Sequence, residues 1–115
     1  MIGAKEHETD LISREELKEK LDRGDDFKLV MVLGEWQYHA KRITGSLRVS
    51  TQEEGLETLD PDDEIVLYDS APPCPASQMA CRFLKAHGYG QVRRYAAGLE
   101  EWESAGYPLE GEDVG

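Results

Sequence analysis

Asp69 and Cys74 are the residues of this chain best placed to do chemistry. They lie in the stretch EIVLYDSAPPCPASQMACRFLKAHGYG, residues 64–90, which reads as a buried strand, a tight loop and a helix. In open α/β sheets, ligands bind at the carboxyl ends of the strands, where helix N-termini turn their free N–H groups outward. The loop DSAPPCPAS occupies that position. Its amides, with the dipole of a helix opening near Ala76, can cradle an anion or lower the pKa of a thiol. The candidate anion-binding loop is therefore Ser70, Ala71, Cys74, Ala76 and Ser77, with Asp69 and Cys74 as the candidate reactive side chains. Pro72, Pro73 and Pro75 stiffen the loop and remove backbone donors. Plainer readings compete: the loop merely reverses the chain, and Asp69 caps it by accepting backbone hydrogen bonds.

Other chemistries fail on the same residues. A cysteine phosphatase needs an arginine at the position that Ala80 holds relative to Cys74. An aspartyl nucleophile at Asp69 would need metal-binding carboxylates and a second acid close by, and the loop offers neither. No glycine-rich phosphate loop is present, so no cofactor is expected, and His39 and His87 are not spaced as a metal-ligand pair. Cys81, inside the helix, reads as a small packing residue. Trp36, Trp102, Tyr38, Tyr89 and Tyr95 read as core or half-buried anchors.

The elements that must position the loop fit one compact domain spanning residues 1–115. Hydrophobic residues make up 39% and charged residues 32%, which suits a soluble globular protein. A net charge of -11 argues against nucleic acid as a partner, since phosphate contacts need a surplus of Lys and Arg. No apolar run reaches membrane-span length and MIGAKEHETD has no apolar signal core, so no membrane partner and a cytoplasmic location are expected. Two cysteines that are not spaced as C-x-x-C are expected to be free thiols. A small anion at the loop, or a protein, is the partner left to expect.

Ser13 followed by Glu16 reads as a capping box, opening a helix that ends near Arg23 and Gly24. FKLVMVL and EIVLY read as buried strands, GSLRVS as another strand, EWQYHAKR as a short helix and TQEEGLETL as a broken helical turn. From Ala76 to His87, residues Met79, Ala80, Phe83, Leu84 and His87 share a helical face, and Gly88 ends the helix. QVRRY and GLEEWESAG add a final strand and helix. Asp25, Asp26 and the run from Pro61 to Glu64 read as solvated turns. This alternation implies a mostly parallel sheet covered on both faces.

With these elements in place, the chain resembles the single-domain rhodanese (thiosulfate sulfurtransferase-like) family, from ISREELKEKL to RRYAAGLEEWESAGYPLEG. RITGS, residues 42–46, resembles the family's His-Ile-Pro-Gly-Ala segment, and CPAS resembles the later part of some of its active-site loops. The resemblance implies a rhodanese-like α/β fold, a five-stranded parallel sheet flanked by helices on both faces, and a sulfurtransferase carrying sulfane sulfur as a cysteine persulfide. It also implies a departure. The position matching the family's catalytic cysteine is Asp69, and a carboxylate cannot carry sulfane sulfur. Met31 and Leu33 stand where the family commonly has Asp and Arg, while Arg42 and Thr44 replace His and Pro. Two expectations follow: a degenerate binding or regulatory module, or a divergent sulfur carrier using Cys74. The enzyme class is left open between them.

Overall fold

The computed structural model describes residues 11–49, 51–71 and 75–113. Helix α1 (Arg14–Arg23) opens at Ser13, whose side chain accepts the Glu16 N–H, and closes at Gly24 in the left-handed conformation that glycine adopts without a Cβ clash. Strand β1 (Lys28–Met31) follows, then a short helix α2 (Glu35–Ala40) and the two-residue strands β2 (Arg42–Ile43) and β3 (Leu47–Arg48). Helix α3 (Gln52–Thr58) is a continuous helix, not a broken turn, because Thr51 accepts the Glu54 N–H and caps it. Strand β4 (Ile65–Tyr68), helix α4 (Ala76–Ala86), strand β5 (Val92–Tyr95), helix α5 (Gly98–Ser104) and strand β6 (Leu109–Glu110) complete the order.

The main sheet is parallel, in the order β3-β1-β4-β5, with Val30 beside Leu67 and Leu67 beside Arg94. Among the described residues it has four parallel strands, not the five expected. Leu11 makes only a single parallel bridge to Arg94 at the β5 edge, with the Ile12 N–H donating to the Arg94 carbonyl at 2.9 Å. Ser13 starts α1 immediately after Ile12, so on that side the chain leaves the sheet. Strands β2 and β6 form a separate antiparallel pair, which the sequence pattern did not reveal.

Alternate side chains of each strand enter opposite cores, as a period of two requires. On one face Leu29, Met31, Val66, Tyr68 and Tyr95 pack with Leu17 of α1 and Trp102 of α5. On the other, Val30, Ile65, Leu67 and Val92 pack with Leu59, which follows α3, and with Cys81 and Leu84 of α4. The sheet is thus covered on both faces. Of the expected face of α4, Leu84 is buried and Ala80 and Phe83 pack partly buried against the core, whereas Met79 is 64% exposed; Ser77 and Cys81 are the other buried residues. Trp36 is likewise not an anchor: it is 75% exposed, on a helix with no buried residue. The acidic turns are more than solvated loops, because Asp25 and Glu64 both pair with Lys20, a buried lysine that would otherwise carry an unpaired charge.

Candidate functional site

Asp69 follows directly on β4, at the carboxyl edge of the sheet, and is 1% exposed. Its Oδ2 accepts the Ser77 N–H at 2.8 Å. That N–H belongs to the first turn of α4, whose amides have no partner within the helix. Pro75 precedes the helix and supplies no side-chain cap, so the carboxylate of Asp69 takes that part from across the loop. Ser77 is fully buried, and its Oγ accepts from Arg94 Nε at 3.2 Å. A chain of polar contacts thus runs from Arg94 through Ser77 to Asp69.

The backbone of the loop is fixed from a second side. The carbonyls of Asp69 and Ser70 accept the Leu99 and Glu100 N–H groups, each at 2.9 Å, which satisfies two orphan donors at the start of α5. This approach requires glycine at position 98. Gly98 has φ of 80°, and a Cβ there would lie 2.8 Å from the Asp69 carbonyl oxygen and 2.7 Å from that of Ser70.

A third tie lies just upstream. The Tyr68 hydroxyl accepts the Ile43 N–H at 3.0 Å and lies 2.7 Å from Ser46 Oγ. Ser46 Oγ gives its proton to the Ile43 carbonyl at 2.6 Å, so the Tyr68 O–H donates to Ser46. Burial pushes the Tyr68 phenol up to about 12. The segment from Arg42 to Ser46 is therefore clamped beside the end of β4. Arg42 stays with the scaffold: its Nε donates to Glu110 at 2.8 Å, its Nη1 to the Tyr38 carbonyl at 3.0 Å, and its guanidinium lies over the Tyr38 ring.

The structure brings Asp69 and Ser77 together and leaves Ser70, Ala71 and Ala76 half-buried along the same loop. Cys74 lies outside the described residues. Cys81 is buried in the core, where its helical position placed it as a packing residue. His39 faces Glu35 and His87 packs on Phe83, and among the described residues no cluster of His, Cys, Asp or Glu could hold a metal. Met31 is fully buried, Leu33 packs against the same core, and Thr44 is exposed. Sequence reasoning passed over Tyr68, Ser46, Arg94 and Gly98. Gly98 carried a signal, a glycine at the first position of a helix, but nothing local marks Asp69 and Ser70 as the backbone it approaches.

A parallel sheet covered on both faces, with the chain after its central strand held at the carboxyl edge by two helix N-termini, defines an α/β domain with helices on both sides of the sheet. The model of the rhodanese-like domain family matches residues 13–105, and the chain belongs to that family. Its fold is shared with a protein from Bacillus halodurans, at a TM-score of 0.84 and 18% identity over 91% of this chain and 79% of that one. The rhodanese-like domain of a protein from Anabaena sp. matches at a TM-score of 0.81 and 21% identity, covering 90% of this chain and 80% of that one. A human single-domain sulfurtransferase matches at 0.69 and 20% identity, covering 83% and 96%. No curated protein matches the chain by sequence. Among the described residues, no helix is long and apolar enough to cross a membrane.

Proposed function

We propose that this rhodanese-like domain is a binding or regulatory module without ordinary thiosulfate sulfurtransferase activity. The observation that carries the reading is the Asp69 carboxylate, bonded to the Ser77 N–H at 2.8 Å; by the sequence resemblance, Asp69 stands where the family has its catalytic cysteine. In sulfur transfer a thiolate attacks thiosulfate, forming a persulfide and releasing sulfite. Cyanide then removes the outer sulfur as thiocyanate and restores the thiolate. A carboxylate oxygen has no equivalent sulfur-bearing state, and here it also holds an amide that would otherwise face an incoming anion. The ligand classes consistent with the site are a small sulfur-containing anion, weakly bound, or a protein partner.

The competing reading uses Cys74, shortly before α4 in the sequence, as the sulfur acceptor. A thiosulfate-to-cyanide assay on the wild type and on Cys74→Ala separates the two. No turnover in either protein is expected. Turnover in the wild type that Cys74→Ala abolishes would establish the sulfur carrier instead. Asp69→Cys probes what the loop retains: a thiol with a depressed pKa that accepts sulfur from thiosulfate is expected, and pH-dependent alkylation checks it. An ordinary, unreactive thiol there would mean that the loop no longer forms an anion cradle.

A further inference from the structure

The molecule also has an opening that Asp69 does not line. A cleft of about 290 Å³ lies between α3 and α4 and reaches down to the sheet at Val30 and Leu67. Both are core residues, 0% and 1% exposed, so the cleft backs directly onto the packed sheet. We infer that this cleft is a binding site for a small, uncharged apolar molecule of one or two rings. The inference is independent of the reading of Asp69.

Size argues for a small molecule over a chain segment. A dry apolar cavity of about 150 Å³ is enough to hold benzene, and pockets for small ligands begin at about 300 Å³. A strand or helix of a partner needs a longer trough. The walls argue for an apolar occupant, since Val49 and Leu59 on one side and Ala80 and Phe83 on the other present carbon only. Thr51 and Gln52, at the start of α3, are the polar side chains of the lining and fit one polar edge of the ligand. Charge excludes an anion as the preferred occupant. Helix α3 carries Glu53, Glu54 and Glu57, and the whole chain has a net charge of -11.

Two residues bear the mark of an opening kept for use. Gly55 sits buried within α3, where glycine costs about 1 kcal/mol relative to alanine. A Cβ at that position would point at Val49, 3.3 Å from its Cγ1, so the bare backbone leaves the wall of the cleft thin. Met79 lines the cleft and is 64% exposed. Its flexible thioether can fold over an occupant, which a branched side chain does poorly.

The test is a titration of the isotope-labelled protein with indole, a neutral two-ring probe, followed by NMR of methyl and amide groups. Saturable shifts at Val30, Val49, Leu67 and Met79 are expected, together with at least a tenfold loss of affinity in Ala80→Phe, which fills the cleft. Met79→Glu, at an exposed position that does not endanger the fold, should weaken indole at least threefold even if Ala80→Phe fails to fold. Indole-3-acetate should bind several-fold more weakly than indole. Shifts confined to another surface, an affinity unchanged in Met79→Glu, or tighter binding of the acetate would overturn the proposal. So would a concentration-dependent dimer that indole disperses, since a second copy would then be the occupant.

Discussion

The face of the sheet beneath α1 and α5 is closed by aromatic residues, whereas the face beneath α3 and α4 is mainly aliphatic and contains the cleft. On the first, Tyr95 and Trp102 meet edge to face at 5.8 Å, and Trp102 meets Tyr107 in the same way at 4.9 Å. Their polar tips are satisfied: Tyr95 donates to Glu101 at 2.6 Å and Trp102 Nε1 to the Pro108 carbonyl at 2.9 Å. On the second, Tyr89 is the one aromatic residue of the buried cluster, donating to the Leu59 carbonyl at 2.7 Å. The difference assigns the two faces separate work. The aromatic face holds α5 against the sheet and, through Gly98, the backbone of the Asp69 loop, while the aliphatic face has room to receive something.

If that division is right, substitutions on the aromatic face cost more. Trp102→Ala should be the most damaging, at about 3–5 kcal/mol, because it empties a fully buried site and releases α5. Chemical denaturation measures it, and a loss below about 1 kcal/mol would place the packing elsewhere. Gly98→Ala comes next, at about 3 kcal/mol, since the new Cβ meets two carbonyl oxygens and φ is positive. Amide exchange should show the cost concentrated at Leu99 and Glu100, whose donors hold the loop. An evenly spread loss would mean that the loop is not tied through α5.

Tyr68→Phe should cost about 1–3 kcal/mol by leaving the Ile43 N–H and Ser46 Oγ without their buried partner. It also has a pH signature. An unfolded tyrosine titrates near 10, and burial raises Tyr68 to about 12. Its contribution to stability is therefore complete below about pH 10 and lost as pH rises through about 12. Tyr95 and Tyr89, both also raised by burial, keep part of this dependence in the variant. The slope of stability against pH above 10 should accordingly be shallower in Tyr68→Phe than in the wild type; equal slopes would contradict the assignment. The smallest effect belongs to the aliphatic face. Gly55→Ala gains helix propensity but brings a Cβ within 3.3 Å of Val49, so the net change should stay within about 1 kcal/mol. A larger loss in thermal or chemical unfolding would mean that the cleft wall cannot yield.

Much of the scaffold was legible because it rests on local rules. Ser13 with Glu16, the apolar run of β1, the strand ending at Tyr68 and the glycine after α4 each carry their own signal. The short strand pair β2 and β6 was not legible, since two residues have no period, and their partners are far apart in the chain. The exposure of Trp36 and Met79 also escaped, because periodicity selects a face but cannot say whether another element covers it. At the candidate site, the plainer of the competing readings had Asp69 accepting backbone hydrogen bonds, and in the structure it accepts the Ser77 N–H. The ties through Tyr68, Arg94 and Gly98 depend on residues brought together only by the fold.

The central claim is that the Asp69 carboxylate occupies the start of α4 and so closes the loop to anions. Thiosulfate titrations of the wild type and Asp69→Ala at neutral pH, with the Ser77 amide followed by NMR, test it most directly. The account predicts a saturable shift of that amide in Asp69→Ala and none of comparable affinity in the wild type. A wild-type Ser77 amide that responds to thiosulfate as tightly as the variant's would contradict it.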